Sequence, residues 1–94
     1  MIIAVDFDGT LCIGGRPNLV LFAQLQASQK AGNIVILWTC REGKRLNEAV
    51  VFCRKHGLVP NCVNCNHPSG VAIMGHNSRK VYADLYIDDK NMRV

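Results

Sequence analysis

The chain has 94 residues, of which 49% are hydrophobic and 19% charged, a mixture that suits one folded domain and excludes a disordered tail. The net charge of +4 comes from scattered basic residues and only 6% of residues are aromatic, so a dedicated nucleic-acid-binding module is not expected. There is no apolar stretch of ~20 residues and no signal peptide, and the five cysteines are an odd number, so we predict a reduced, cytoplasmic protein with no membrane partner.

The first predicted element is a strand over residues 2–6. Its continuous apolar run is typical of a parallel strand that is buried on both faces. Residues 11–16 are predicted to form a loop. A helix should follow, with Pro17 in its first turn and Gly32 as its C-terminal cap.

A second buried strand is predicted over residues 34–39, followed by a helix that starts near Glu42 and closes at Gly57. A short third strand is predicted over residues 61–64. The last strand, residues 81–89, again ends in two acids, with at most a short helix before it.

This β-α-β-α-β-(irregular)-β order predicts an α/β fold in three layers, an open parallel sheet flanked by helices. Residues 1–94 are read as a single domain without linker or repeat.

Acidic residues follow two of the predicted buried strands. Asp6 and Asp8 end the first strand, and Asp88 and Asp89 end the last. Ligands of open parallel sheets bind outside the carboxyl ends of the strands. Clustered carboxylates repel unless a cation lies among them, and oxygen ligands of this kind suit Mg²⁺. Taken alone, the Asp-x-Asp-Gly stretch would indicate only a turn.

A hydroxyl and basic residues are expected at the same edge. Thr39 ends the second strand, Arg41 follows it, and Lys80 precedes the last strand, with Arg79 as a rival to Lys80. Together with the acids they could hold a transferring phosphoryl group, whose catalysis rests on positioning and electrostatic stabilisation.

Four segments resemble the motifs of one family, in the family's order. "DFDGTL" (6–11) matches the first motif of the haloacid dehalogenase superfamily of phosphohydrolases without a substitution, and "ILWTCRE" (36–42) is similar to the second. Lys80 would be the cation of the third motif, and "YIDDKN" (86–91) resembles the acidic fourth motif. The resemblance implies a Rossmann-like fold and a Mg²⁺-dependent phosphatase.

The resemblance also implies a role for each motif residue. Asp6 would be the nucleophile that forms an aspartyl-phosphate, and Asp8 the general acid and then base. Thr39 and Lys80 would bind and stabilise the phosphoryl group.

The implied Mg²⁺ site comprises Asp6, Asp8 through its backbone carbonyl, and Asp88, with Asp89 as the less certain ligand.

No segment has room for the cap domain that many relatives carry, so a capless member is expected. Arg41 would then help to bind substrate. The expected substrate is a phosphorylated small molecule or nucleotide. The "TCRE" order is similar to that of polynucleotide kinase-phosphatases, which makes a nucleic-acid end the less favoured substrate. We expect a monomer or homodimer.

Two hypotheses from other classes stay open. The chain could be a binding or regulatory module that keeps the fold and turns over poorly. Alternatively, Cys62 and Cys65, with His67 and His56, could form a zinc site in an interaction domain, although the two histidines lack the usual spacing.

Overall fold

The computed structural model describes residues 1–65 and 83–89. Within these residues the chain forms an α/β fold with a parallel sheet. The elements in chain order are β1 (Ile2–Val5), β2 (Cys12–Ile13), β3 (Arg16–Pro17), α1 (Leu19–Lys30), β4 (Ile34–Leu37), α2 (Gly43–Lys55), β5 (Cys62–Val63) and β6 (Leu85–Ile87).

The main sheet has the strand order β5-β4-β1-β6, and all its neighbouring pairs are parallel. The predicted α/β class and parallel sheet are confirmed. The chain moves outward from β1 through β4 to β5, and β6 then pairs on the opposite side of β1. This reversal places a crevice between the carboxyl ends of β1 and β6, the position where open α/β sheets bind ligands.

Both helices pack on one face of this sheet. The buried side chains that join helices and strands into one core are Ile3, Val5, Phe7, Leu11, Leu21, Phe22, Leu25, Val35, Leu37, Ala49, Cys53 and Leu58. Burying each large apolar side chain contributes about 1.5–3 kcal/mol relative to exposure. On the opposite face Ile2, Ala4 and Ile36 are also buried, which explains why these strands have continuous apolar runs.

The helix ends have recognisable causes. The Asn18 side chain accepts a hydrogen bond from the Leu21 N–H at 3.3 Å, so Asn18 is the N-cap of α1. Gly32 and Gly57 follow α1 and α2 with φ of 94° and 87°, the left-handed conformation that glycine adopts without steric cost. The prediction that Pro17 lies in the first turn of α1 is wrong, because Pro17 belongs to β3.

The predicted loop 11–16 contains a small antiparallel hairpin of β2 and β3. Gly14 and Gly15 connect the two strands with φ of 57° and 79°. Two consecutive positive φ values give the turn whose twist matches a hairpin, and only glycine adopts them freely.

Other predictions fall on residues 66–82 and 90–94. Any helix before the last strand, the first residues of that strand, and Lys80 with its rival Arg79 lie outside the described residues. In the described part of the chain, neither helix has the length and apolar character needed to cross a membrane.

Candidate active site

Asp6 and Asp8 lie directly after the central strand, on a tight turn. The Asp6 N–H donates to the Ile87 carbonyl at 2.9 Å, which extends the β1–β6 pairing by one residue. The Phe7 carbonyl then accepts the N–H groups of residues 10–12 at 3.0–3.2 Å. The chain therefore reverses immediately after Asp8.

The two acids that follow β6 reach this turn. Asp88 lines the same pocket as Asp6. Asp89 packs against Gly9, where an added Cβ would lie 3.4 Å from the Cβ of Asp89. With φ of 77°, Gly9 is also the residue that lets the chain turn. The predicted meeting of the two acidic segments is therefore observed.

The Asp6 carboxyl group lies in a negatively charged environment. Burial raises its pKa, and the charges of Asp8, Asp89 and Asp88 act in the same direction. The Phe7 N–H, which donates to Asp6 Oδ1 at 2.8 Å, opposes this effect. A positive charge placed beside Asp6 would act in the opposite direction and favour its ionised form.

A magnesium ion fits this set of donors. Mg²⁺ usually binds one or two carboxylates and completes its shell with water and phosphate oxygens. Asp6, Asp88, Asp89 and the Asp8 backbone carbonyl are donors of that class. Among residues 1–65 and 83–89, no three His, Cys, Asp or Glu side chains lie close enough together to hold a metal by themselves. A Mg²⁺ ion bound here would therefore rely on water and substrate oxygens for much of its shell.

Thr39 follows β4 and is fixed by backbone and side-chain contacts. Its N–H donates to Asn64 Oδ1 at 2.8 Å, and its hydroxyl accepts the Arg41 N–H at 3.2 Å. Asn64 has a left-handed φ of 51° and donates its own N–H to the Leu37 carbonyl at 2.8 Å. Sequence reasoning missed Asn64, although an asparagine after a short strand is a common left-handed residue.

Arg41 binds Asp8 through two parallel hydrogen bonds. Its Nε donates to Asp8 Oδ2 at 2.9 Å and its Nη2 to Oδ1 at 2.8 Å. The guanidinium also lies over the Phe7 ring, 4.8 Å from the centroid. Phe7 is itself held by an edge-to-face contact with Phe52 at 5.4 Å. Arg41 was predicted to bind substrate, and the structure shows it bound to the predicted acid–base residue.

This ion pair affects the charge state of Asp8. The hydrogen bonds from Arg41 lower the pKa of Asp8, and the charge of Arg41 adds to that effect. A residue that donates a proton near neutral pH usually has a raised pKa. The pairing with Arg41 therefore opposes a role for Asp8 as general acid.

A pocket of about 190 Å³ opens beside the acids. Asp6, Thr39 and Asp88 contribute to its wall, so predicted site residues from β1, β4 and β6 converge on one cavity. The rest of its lining is largely apolar and was not predicted. Those residues are Ala4, Trp38, Cys40, Tyr86 and Ile87.

The two cysteines of the proposed zinc site are close to each other. Burial and a hydrogen bond with Cys65 raise the pKa of Cys62 to about 11. The His56 ring packs against the rings of Phe52 and Phe22, with centroids 4.7 and 5.6 Å apart. His67 lies outside the described residues, so the part of the chain described by the structure does not assemble a zinc site.

Comparison with known proteins gives one informative relationship. No family model matches the chain, and no curated protein does. A solved structure of a conserved protein from Bacteroides thetaiotaomicron is 40% identical in sequence, with a TM-score of 0.82. The match covers 97% of this chain and 77% of that one. The chain belongs to the same family as this Bacteroides protein. Membership establishes shared ancestry and fold.

Proposed function

We propose that the chain is a Mg²⁺-dependent phosphatase of the haloacid dehalogenase type, which hydrolyses a phosphomonoester through an aspartyl-phosphate on Asp6. The observation that carries the proposal is the convergence of Asp6, Thr39 and Asp88 on one pocket at the carboxyl ends of three neighbouring strands. The resemblance of the four sequence motifs supports the same reaction.

The reaction has two steps. The Asp6 carboxylate attacks phosphorus, the bond to the leaving oxygen breaks, and Asp8 supplies the proton for that oxygen. Asp8 then takes a proton from a water molecule, which attacks phosphorus and releases phosphate and free Asp6. The Thr39 hydroxyl donates a hydrogen bond to a phosphoryl oxygen, and Lys80 supplies a positive charge that stabilises the phosphoryl group. Asp6, Asp88 and the Asp8 carbonyl, with Asp89 as the less certain ligand, would hold Mg²⁺ together with water, and the ion would neutralise phosphoryl charge.

The test is hydrolysis of 4-nitrophenyl phosphate with Mg²⁺ and with EDTA. We expect turnover that depends on Mg²⁺ and falls by about 10³-fold or more in Asp6→Asn, because the amide cannot act as nucleophile. Asp84→Asn is the matched control. It makes the same chemical change at the opposite end of β6, where Asp84 accepts the Ile2 N–H at 2.7 Å. Equal activity in Asp6→Asn and wild type would refute the proposal.

One observation favours the alternative of a binding module that turns over poorly. Asp8 and Arg41 bind each other, so their pairing competes with proton transfer by Asp8 and with substrate binding by Arg41. Calorimetry with inorganic phosphate would detect binding. Phosphate binding without Mg²⁺-dependent hydrolysis of any phosphate monoester in a diverse panel would favour this module over the phosphatase.

A further inference from the structure

We propose that the pocket beside Asp6 receives the leaving group of the substrate, and that this group carries a single aromatic ring. The proposal rests on the phosphatase function above and extends it to the class of substrate. Its basis is the shape, lining and position of the pocket.

The aromatic character of the pocket comes from Trp38 and Tyr86. Their ring centroids are 6.0 Å apart and the rings are inclined by 60°. The two rings form an aromatic corner that a flat ligand can contact, and aromatic rings favour offset and edge-to-face contacts. The Tyr86 hydroxyl accepts the Ala83 N–H at 3.1 Å, which fixes the orientation of that ring.

The volume of the pocket limits the size of the ligand that it can hold. The pocket volume is about 190 Å³, and a dry apolar cavity of about 150 Å³ is sufficient to bind benzene. Ala4, which is 2% exposed, lines the pocket with only a methyl group. One six-membered ring therefore fits, whereas a two-ring system would have to extend outside.

Position connects the pocket to the reaction. Side chains alternate between the two faces of a strand, so Ala4 and Asp6 of the β1 segment lie on the same side of the sheet. In the neighbouring segment, Trp38 directly precedes Thr39, and both line the pocket. The aromatic corner and the nucleophile thus belong to one continuous cavity. Trp38 is 40% exposed, so a bound ring would remove apolar surface from water.

The experiment measures binding first and does not require turnover. Wild-type protein is titrated, in the presence of Mg²⁺, with methylphosphonate, cyclohexylmethylphosphonate and benzylphosphonate. Because Trp38 is the single tryptophan of the chain, its fluorescence reports directly on the pocket. We expect benzylphosphonate to bind about 10- to 100-fold more tightly than methylphosphonate. We expect it to bind several-fold more tightly than the saturated-ring compound.

Two variants test the residues. Trp38→Phe should keep the preference for the aromatic ligand, and Trp38→Leu should reduce it by about three- to tenfold, as measured by calorimetry. Equal affinity of the wild type for the three phosphonates would overturn the proposal. If benzylphosphonate is preferred but neither benzyl phosphate nor any monoester of the diverse panel is hydrolysed in an Asp6-dependent manner, the pocket assignment is supported and the proposed function is overturned.

Discussion

Asn64 should stabilise the fold through two separable effects. Its side chain accepts the Thr39 N–H at 2.8 Å, and its backbone has a left-handed φ of 51°. Among the described residues, it is the one residue other than glycine with a positive φ. Asn64→Ala removes the acceptor and also places an alanine in a conformation that alanine disfavours.

The two effects can be given magnitudes. Loss of the acceptor leaves the Thr39 N–H without its partner, at a cost of about 1–2 kcal/mol. The left-handed backbone costs alanine about 1 kcal/mol more than asparagine. Asn64→Ala should therefore reduce the free energy of unfolding by about 2–3 kcal/mol. Asn64→Gly avoids the backbone cost and should lose about 1–2 kcal/mol, whereas Asn64→Asp keeps an acceptor and should stay within about 0.5 kcal/mol of wild type.

Urea unfolding at constant m-value provides the measurement. Asn61 is the control, because its φ is not positive while its Oδ1 accepts hydrogen bonds from the Val35 N–H at 2.8 Å and from Gln29 Nε2 at 3.0 Å, at the other end of β5. Asn61→Ala should lose the hydrogen-bond contribution alone. Equal losses for Asn64→Ala and Asn64→Gly would refute the backbone argument, and a loss in Asn64→Asp as large as in Asn64→Gly would refute the acceptor argument.

Three further predictions concern other groups of the site region. The Thr10 hydroxyl is buried and has no hydrogen-bond partner among residues 1–65 and 83–89, so Thr10→Val should stabilise the protein by about 1 kcal/mol in thermal unfolding. A clear loss of stability would show that the hydroxyl is satisfied. A double-mutant cycle of Asp8→Asn and Arg41→Gln in urea should give a coupling energy of about 0.2–1 kcal/mol at low salt, since Asp8 is 54% exposed, and the coupling should shrink in 1 M salt. Coupling that is absent at low salt would contradict the paired geometry. Because the pKa of Cys62 is raised to about 11, little of this thiol is ionised at pH 8, so iodoacetamide should label exposed Cys40 well before Cys62 in peptide mapping. Labelling of Cys62 should accelerate with rising pH, and faster labelling of Cys62 than of Cys40 at pH 8 would contradict this assignment.

The strands were predictable because burial on two faces leaves a strong signal. The apolar runs in residues 2–6 and 34–39 contain β1 and β4, and the two acidic segments meet as the strand-end rule requires. The hairpin before α1 was missed although its signal, Gly14-Gly15 between short flanking runs, is present in the sequence.

The side-chain partnerships of the site were not predictable in the same way. The Asp8–Arg41 pair joins residues 33 positions apart, and nothing in their local sequence distinguishes an arginine aimed at substrate from one aimed at a neighbouring carboxylate. The aromatic corner likewise depends on the pairing of β1 with β4 and β6, which brings Trp38 and Tyr86 together from distant segments.

The central position of β1 has a consequence for folding kinetics. Its partners β4 and β6 arrive from progressively later parts of the chain, and the contact between Ile2 and Asp84 closes a separation of 82 residues. Because the entropic cost of loop closure precedes the energy gained from such a distant pairing, we expect docking of β6 to be the slow step of assembly. Asp88 then joins Asp6 only when that step is complete. The first half of the chain could collapse around the helices and still lack a ligand-binding edge, so recovery of ligand binding during refolding should lag behind recovery of helix content.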